Sequence, residues 1–477
     1  MILKITVLTL YVLAIVAIGV LRGRKTASFH DFFLGGGKIG PWMTAFTYGA
    51  AYFSAVIFIG FSGKIGWQFG YSGVWIAAGN ALVGVLLVWW LLGWRVKKMS
   101  QETGVSTMPE YFEKRYDSRF LKFFTSSAIF VFFIPYSAAV FIGLSYLFQL
   151  NFGTEFWQAL AFMGLFTAVY LVLGGYKSMS TIDVLFGVLM LAGGGVFIFS
   201  VIGKAGGLAA ATARLAAIDP RLTAAVGPPG WWPLFCMVFL TSVAPFAMPQ
   251  LMQKFYAVRD RRAIRAGMWI STAFAIVLST IAYFSGSFSR LLLSPENAPG
   301  AFAAGRPVFD ALVPELIAKA VPPQLIIFIL LLILSASMST LAALVLISSS
   351  SLAKDLYAGF INPKVSDRSL TRMMRWLSAF FILLSVILAY LRPETIVTIL
   401  GISWGAIGSV FLGPFIWGLF TKWANRFGAI ASSVLALAVC LAMYLAGRPS
   451  PEAGTVGMMV SLAATPLLSL LGRRKTG

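Results

Sequence analysis

Apolar runs of roughly 20 residues recur from one end of this 477-residue chain to the other, and each is long enough to cross about 30 Å of hydrocarbon as a helix. Lipid offers no partner for backbone N–H and C=O groups, so only helix bundles and closed barrels span it. Barrel strands alternate apolar and polar residues, and these runs do not alternate. Only 11% of residues are charged, against roughly a quarter in a soluble domain. The expected fold class is therefore an all-α polytopic membrane protein.

Thirteen spans are expected, at about 2–21, 41–62, 71–94, 120–149, 156–174, 183–202, 231–252, 266–288, 324–350, 373–391, 395–420, 428–446 and 455–471. The first has no small-residue cleavage pattern, and its basic cluster (Arg22, Arg24, Lys25) follows rather than precedes it. It reads as a retained helix, not a cleaved leader. The net charge of +21 does not point to nucleic acid, because Lys and Arg lie in short loops between spans. Of the 37 basic residues, 27 fall on the side of the tail Gly472-Arg473-Arg474-Lys475. By the positive-inside rule that side is cytoplasmic and the N-terminus is outside, in a plasma (inner) membrane. Two longer external loops, about 203–230 and 289–323, are rich in Ala, Gly and Pro, and 306–319 is expected to form a short surface helix.

The sixteen acidic residues fall almost entirely in loops or at span ends. Asp183 begins the sixth span at the cytoplasmic edge, where a carboxylate either caps a helix or lies on an ion exit path. No buried carboxylate pair and no intramembrane Lys or Arg is expected, which removes the parts of a proton-relay pump or an intramembrane hydrolase. Cys236 and Cys440 lie in apolar spans as small hydrophobes, and His30, the lone histidine, reads as a solvated loop residue.

Two spans interrupt the apolar pattern. Gly49-Ala50-Ala51-Tyr52-Phe53-Ser54, in the middle of the second, is a stretch where a helix can unwind and turn carbonyls inward. The ninth carries Ser335-Ala336-Ser337-Met338-Ser339-Thr340 and then Ser348 to Ser351. Hydroxyls at that density either face an ion or let helices pack closely; composition alone leaves both open.

Ordered motifs narrow the choice. Phe33-Leu34-Gly35-Gly36 followed by Gly40-Pro41-Trp42, Gly49-Ala50 and Gly60 resembles the opening of the sodium:solute symporter family. Gly174-Gly175-Tyr176 leading to Asp183, and Met248-Pro249-Gln250 leading to Lys254-Phe255, resemble later stations. Ala336-Ser337-Met338-Ser339-Thr340 with Lys354-Asp355-Leu356-Tyr357 is similar to the family's A-x-M-S-T and D-L-Y motifs, and Gly413-Pro414 with Asn425 to Gly428 extends the match to about residue 428.

The resemblance implies a LeuT-type bundle of two inverted five-helix repeats, here 41–202 and 231–420, with 1–40 and 421–477 outside them. Broken second and seventh spans would then meet at the midplane. It places a Na⁺ site on the backbone oxygens of Ala50, Phe53 and Ala336 and the hydroxyls of Ser339 and Thr340. Members with a second ion site carry hydroxyls one turn further on, where this chain has Ala342 and Ala343, so one Na⁺ per solute is expected. Tyr52 stands where proline carriers keep an acid, Gln250 replaces a family histidine, and Phe186 stands in place of a common glutamine. Expected solute contacts are Tyr52, Tyr136, Ser242, Phe246 and Trp404, and a monocarboxylate, pantothenate-like acid or amino acid is favoured over a sugar. A sensor-like or channel-like member of the same fold is the alternative; no enzyme is expected.

Overall fold

A computed structural model describes residues 2–23 and 29–472. Arg24 and Lys25 and the basic tail 473–475 lie outside the described residues. The thirteen expected stretches are largely helical, and among the described residues ten helical segments are individually long and apolar enough to cross a membrane.

The ninth span, Ile326–Ser350, is the hub and is buried along almost its whole length. Its Ser and Thr residues therefore face protein, as the cost of a polar group in lipid requires. Around it pack the first span (Ile2–Gly23), the fourth (Arg119–Phe152) and the sixth, with Tyr11 Oη 3.2 Å from Ser335 Oγ. Small residues set the closest approaches. Gly66 and Gly286 bring the second and eighth spans together backbone against backbone, and Gly405 and Gly454 do the same for the eleventh and thirteenth. Such contacts supply van der Waals attachment where lipid gives no hydrophobic drive.

Helix also covers 156–204, interrupted at Gly175 (φ 65°, ψ −179°). Phe32 fills the space that a Cβ at Gly175 would need, so glycine is required by both conformation and packing. The break corrects the sequence reading of the sixth span. That helix begins at Gly175 and not at residue 183, so Asp183 sits about two turns inside it and caps nothing.

The loop 289–323 is more structured than a surface helix alone. A two-residue hairpin (Phe302–Ala303 with Arg306–Pro307) leads into the helix Phe309–Ala320, whose Leu312, Val313, Leu316 and Ile317 are buried. Asp310 accepts the N–H of Ile396 at 3.0 Å and so caps the eleventh span (Ile396–Phe420). Burial pushes its carboxyl up to about 6, against the pull of that N–H and of Lys64. The other loop holds the helix Leu208–Ile218. His30 is exposed, though on the short helix Phe29–Leu34 rather than in a loop.

Candidate functional site: two broken spans and a closed aromatic cavity

The second span is two pieces. Pro41, at the first helical position, starts the helix Pro41–Tyr52 with φ already set. It ends at Phe53, whose backbone is extended (φ −104°, ψ 107°), and helical winding resumes from Val56. The N–H of Ala55 goes to Ser337 Oγ at 3.3 Å instead of closing a turn on Ala51. Irregular backbone at this depth is tolerated only where protein or a polar cavity takes up the freed groups.

The ninth span takes up part of them. Thr340 Oγ lies 3.3 Å from the carbonyl oxygens of both Ala50 and Ala51, and 3.1 Å from that of Ala336. Three of the five expected Na⁺ ligands (Ala50, Ala336, Thr340) are thus in one junction. Ser339 Oγ, on the same helix, is buried without a partner. Phe53 ends the half-helix beside them. Converging carbonyls, with a free hydroxyl on the neighbouring residue, are oxygen donors of the kind a hard monovalent cation takes.

The seventh span is broken too. The helix Trp231–Val243 passes through a tight turn, 244–246, and a new helix, Pro249–Ala257, follows. Pro245 and Pro249 each lack an N–H, so the ladder cannot run through. On the second piece Lys254 is completely buried. The expectation of no intramembrane Lys or Arg therefore fails: the sequence reading ended this span at 252 and left Lys254 to a loop, but the helix carries it inward. Asp183 is equally buried and faces Lys254, Ser339 and Thr47. The two hydroxyls stand beside the carboxylate in no formed hydrogen bond, and all three side chains keep unpartnered oxygens.

A few ångströms along the break lies a cavity of about 20 Å³, room for a single water. Tyr52, Tyr136 and Trp404 line it, together with Asn80, Thr241 and Tyr283. Tyr52 stacks on Trp404 (centroids 6.0 Å apart) and Tyr136 meets Trp404 edge-on at 5.9 Å. Tyr52 Oη also donates to the Thr241 carbonyl at 2.6 Å, tying the two broken spans together. Ser242 stands one layer back, with its hydroxyl 3.2 Å from Asn80 Oδ1. Phe246 is on the break of the seventh span and does not line the cavity. Asn80 and Tyr283 were missed by sequence reasoning; a lone amide inside the apolar run 71–94 was the available signal. Among the described residues no charged side chain lines the cavity, and Trp404 Nε1 lies beside the Tyr136 hydroxyl without a formed hydrogen bond.

Beyond the far end of the ninth span the chain is held by ion pairs. Lys354 meets Glu110 at 3.1 Å, Lys122 meets Glu113 at 2.6 Å, and Thr107 donates to Asp355 at 2.7 Å. Burial works to raise the Glu110 carboxyl, but Lys354, the Ser106 N–H and Lys122 outweigh it and hold it below the usual range.

Comparison with known proteins matches this architecture. A model of the sodium:solute symporter family covers residues 32–436. The chain is 28% identical to the sodium/pantothenate symporter of Escherichia coli, over 98% of this chain and 95% of that one. It is 26% identical to the osmoregulated proline transporter OpuE of Bacillus subtilis, over 98% and 94%. In fold it superposes on the substrate-bound outward-open structure of a Na⁺-coupled sialic acid symporter with a TM-score of 0.79 at 19% identity, covering 98% of this chain and 97% of that one. The closed form of Mhp1, a nucleobase-cation-symport-1 family transporter, follows at 0.55 and 15% identity. The bundle is of the LeuT type. With its broken spans, oxygen junction and multi-pass helices, this chain is a membrane protein of the sodium:solute symporter family, a Na⁺-coupled carrier of small organic solutes and not an enzyme.

Proposed function

We propose that this protein couples one Na⁺, held where Thr340 closes on the carbonyls of Ala50 and Ala336, to uptake of a small organic solute carrying a carboxylate. The observation that supports it most is the junction itself: a hydroxyl of the ninth span seated on freed carbonyls of the second, with Ser339 Oγ unpartnered beside it. Phe53 O and Ser339 Oγ complete the ligand set. Tyr52, Tyr136 and Trp404 form the aromatic walls for the solute, and Asn80, Tyr283 and the Trp404 N–H supply polar contacts. Ser242 acts through Asn80. With no cationic wall, a carboxylate rests on these donors and on the field of the nearby ion. Two relatives are named for pantothenate and for proline, both carboxylic acids.

Coupling follows from shared structure. The break in the second span supplies carbonyls to the ion on one side and Tyr52 to the cavity on the other. Na⁺ binding selects one arrangement of that break, and the same arrangement sets the solute wall, so each ligand raises the affinity for the other. The 20 Å³ cavity is smaller than such a solute, so its binding requires the aromatic walls, Tyr52 and Trp404 among them, to part.

Uptake into proteoliposomes of labelled pantothenate, proline, short monocarboxylates and glucose, with and without an inward Na⁺ gradient, tests this reading. Na⁺-stimulated uptake of an acid is expected; stimulation of glucose alone would overturn the solute class. The basic side is taken as cytoplasmic in a plasma membrane. A cysteine near residue 260 should then react with impermeant reagents only from inside, and one near 215 only from outside. Reversed labelling contradicts the orientation.

A further inference from the structure

Asp183 and Lys254 are buried charges that make no direct contact. Neither carboxylate oxygen accepts a hydrogen bond and the ammonium donates none. They attract each other, yet they form no ion pair. Lys254 Nζ lies instead over the ring of Tyr176, 5.0 Å from its centroid, a site where a quadrupole partly replaces hydration. Asp183 also lies beside the unpartnered hydroxyls of Ser339 and Thr47.

Buried ions left uncompensated are costly, so this arrangement points to a second one in which the gap is closed. Ser339 belongs at once to the proposed Na⁺ ligand set and to the surroundings of Asp183. When Na⁺ is present, its charge lies next to that carboxylate. After release, Lys254 is the cation among the described residues whose charge acts on that carboxylate. The ammonium sits on a flexible four-carbon stem, and Ala342 and Ala343, in the next turn of the ninth span, offer no oxygen for another ion.

We propose that Lys254 is a tethered counter-cation: it swings from the face of Tyr176 onto Asp183 and Ser339 when Na⁺ leaves, and withdraws when Na⁺ binds. This rests on the Na⁺ junction proposed above. The ammonium and the ion are then competitors for one carboxylate, and the aromatic face of Tyr176 is where the loser waits. No proton is transferred; the lysine keeps its charge throughout.

Competition makes opposite predictions for two substitutions. In the detergent-solubilised full chain, thermal stability titrated with NaCl at constant ionic strength (choline replacing Na⁺) reads Na⁺ binding without any solute. Lys254→Gln removes the competitor and should lower the half-saturating Na⁺ at least threefold, whereas Lys254→Arg should stay within about twofold of the parent. Tyr176→Leu removes the waiting place and should raise it at least threefold, but have no effect when combined with Lys254→Gln. A simple packing role would weaken binding in both single variants, and that result overturns the proposal. If Lys254→Gln does not fold, Tyr176→Leu decides: an unchanged or lower half-saturation rejects the competitor. A Na⁺ response that neither variant alters removes the counter-cation alone, while a parent with no Na⁺ response removes the sodium junction and this inference with it.

Discussion

The second and seventh spans are interrupted by different chemistry, and the difference assigns them different work. In the second, small residues (Gly49, Ala50, Ala51) let the helix end while its carbonyls stay in place, so the break yields acceptors for a cation. In the seventh, Pro245 and Pro249 remove donors and impose the turn. That break supplies the Thr241 carbonyl to Tyr52 and carries Lys254 into the interior. On the proposed reading, one break holds the ion and the other positions the groups that respond to it.

Thr340→Val probes the first break and should have the largest effect. It keeps the shape of the side chain but deletes the hydroxyl seated on Ala50, Ala51 and Ala336, leaving buried carbonyls unpaired. Half-saturating Na⁺ is expected to rise by about two orders of magnitude, the equivalent of about 2–3 kcal/mol for a lost ligand. Thr340→Ser should be mild. If Val were tolerated with unchanged Na⁺ activation, the junction would be packing only.

Tyr52→Phe probes the link between the two breaks. Losing the 2.6 Å hydrogen bond to Thr241 costs about 1 kcal/mol. Solute-induced tightening of Na⁺ binding should fall roughly fivefold, while Na⁺ affinity without solute stays within about twofold. Loss of both together would place Tyr52 in the ion site rather than between the sites.

A smaller effect belongs to neither break. Asp310 carries a carboxyl raised by burial to about 6, above its unfolded value near 3.9. The folded chain therefore binds more protons than the unfolded one between those values. Stability is full below pH 4 and falls as pH rises to 6. Asp310→Asn should flatten that slope and raise the melting temperature by roughly a few degrees at pH 7, leaving Na⁺ affinity alone. A melting curve equally steep with pH in the variant contradicts the assignment.

The helical fold and the second break were legible because lipid leaves few options and because small residues in mid-span are conspicuous. Ser339 and Thr340 stood out for the same reason: hydroxyls cost free energy in lipid. What stayed hidden depends on where chain breaks fall. Asp183 read as an edge residue, a helix cap or part of an ion exit path, because the apolar run begins near it, whereas Gly175 starts the helix two turns earlier. Lys254 read as a loop residue because a basic group at a run's edge normally stays in water; only the proline-made turn at 244–248 shows that its helix points inward. Asn80 needed the third dimension, since its value lies in meeting Tyr283 and Ser242 across three helices. Phe246, read as a solute contact, belongs to the turn itself.

The central claim is that one Na⁺ drives each solute, with Lys254 rather than a second ion covering Asp183. The transport reversal potential, measured in proteoliposomes against imposed Na⁺, solute and voltage gradients, tests it directly. A single ion gives equal weight to the Na⁺ and solute concentration ratios, with about 2.3 kcal/mol per 100 mV of membrane potential for a neutral or zwitterionic solute and no voltage term for a monoanion. A reversal point that demands the square of the Na⁺ ratio would contradict the account, because it requires a second ion that the oxygens beside Asp183 would have to hold.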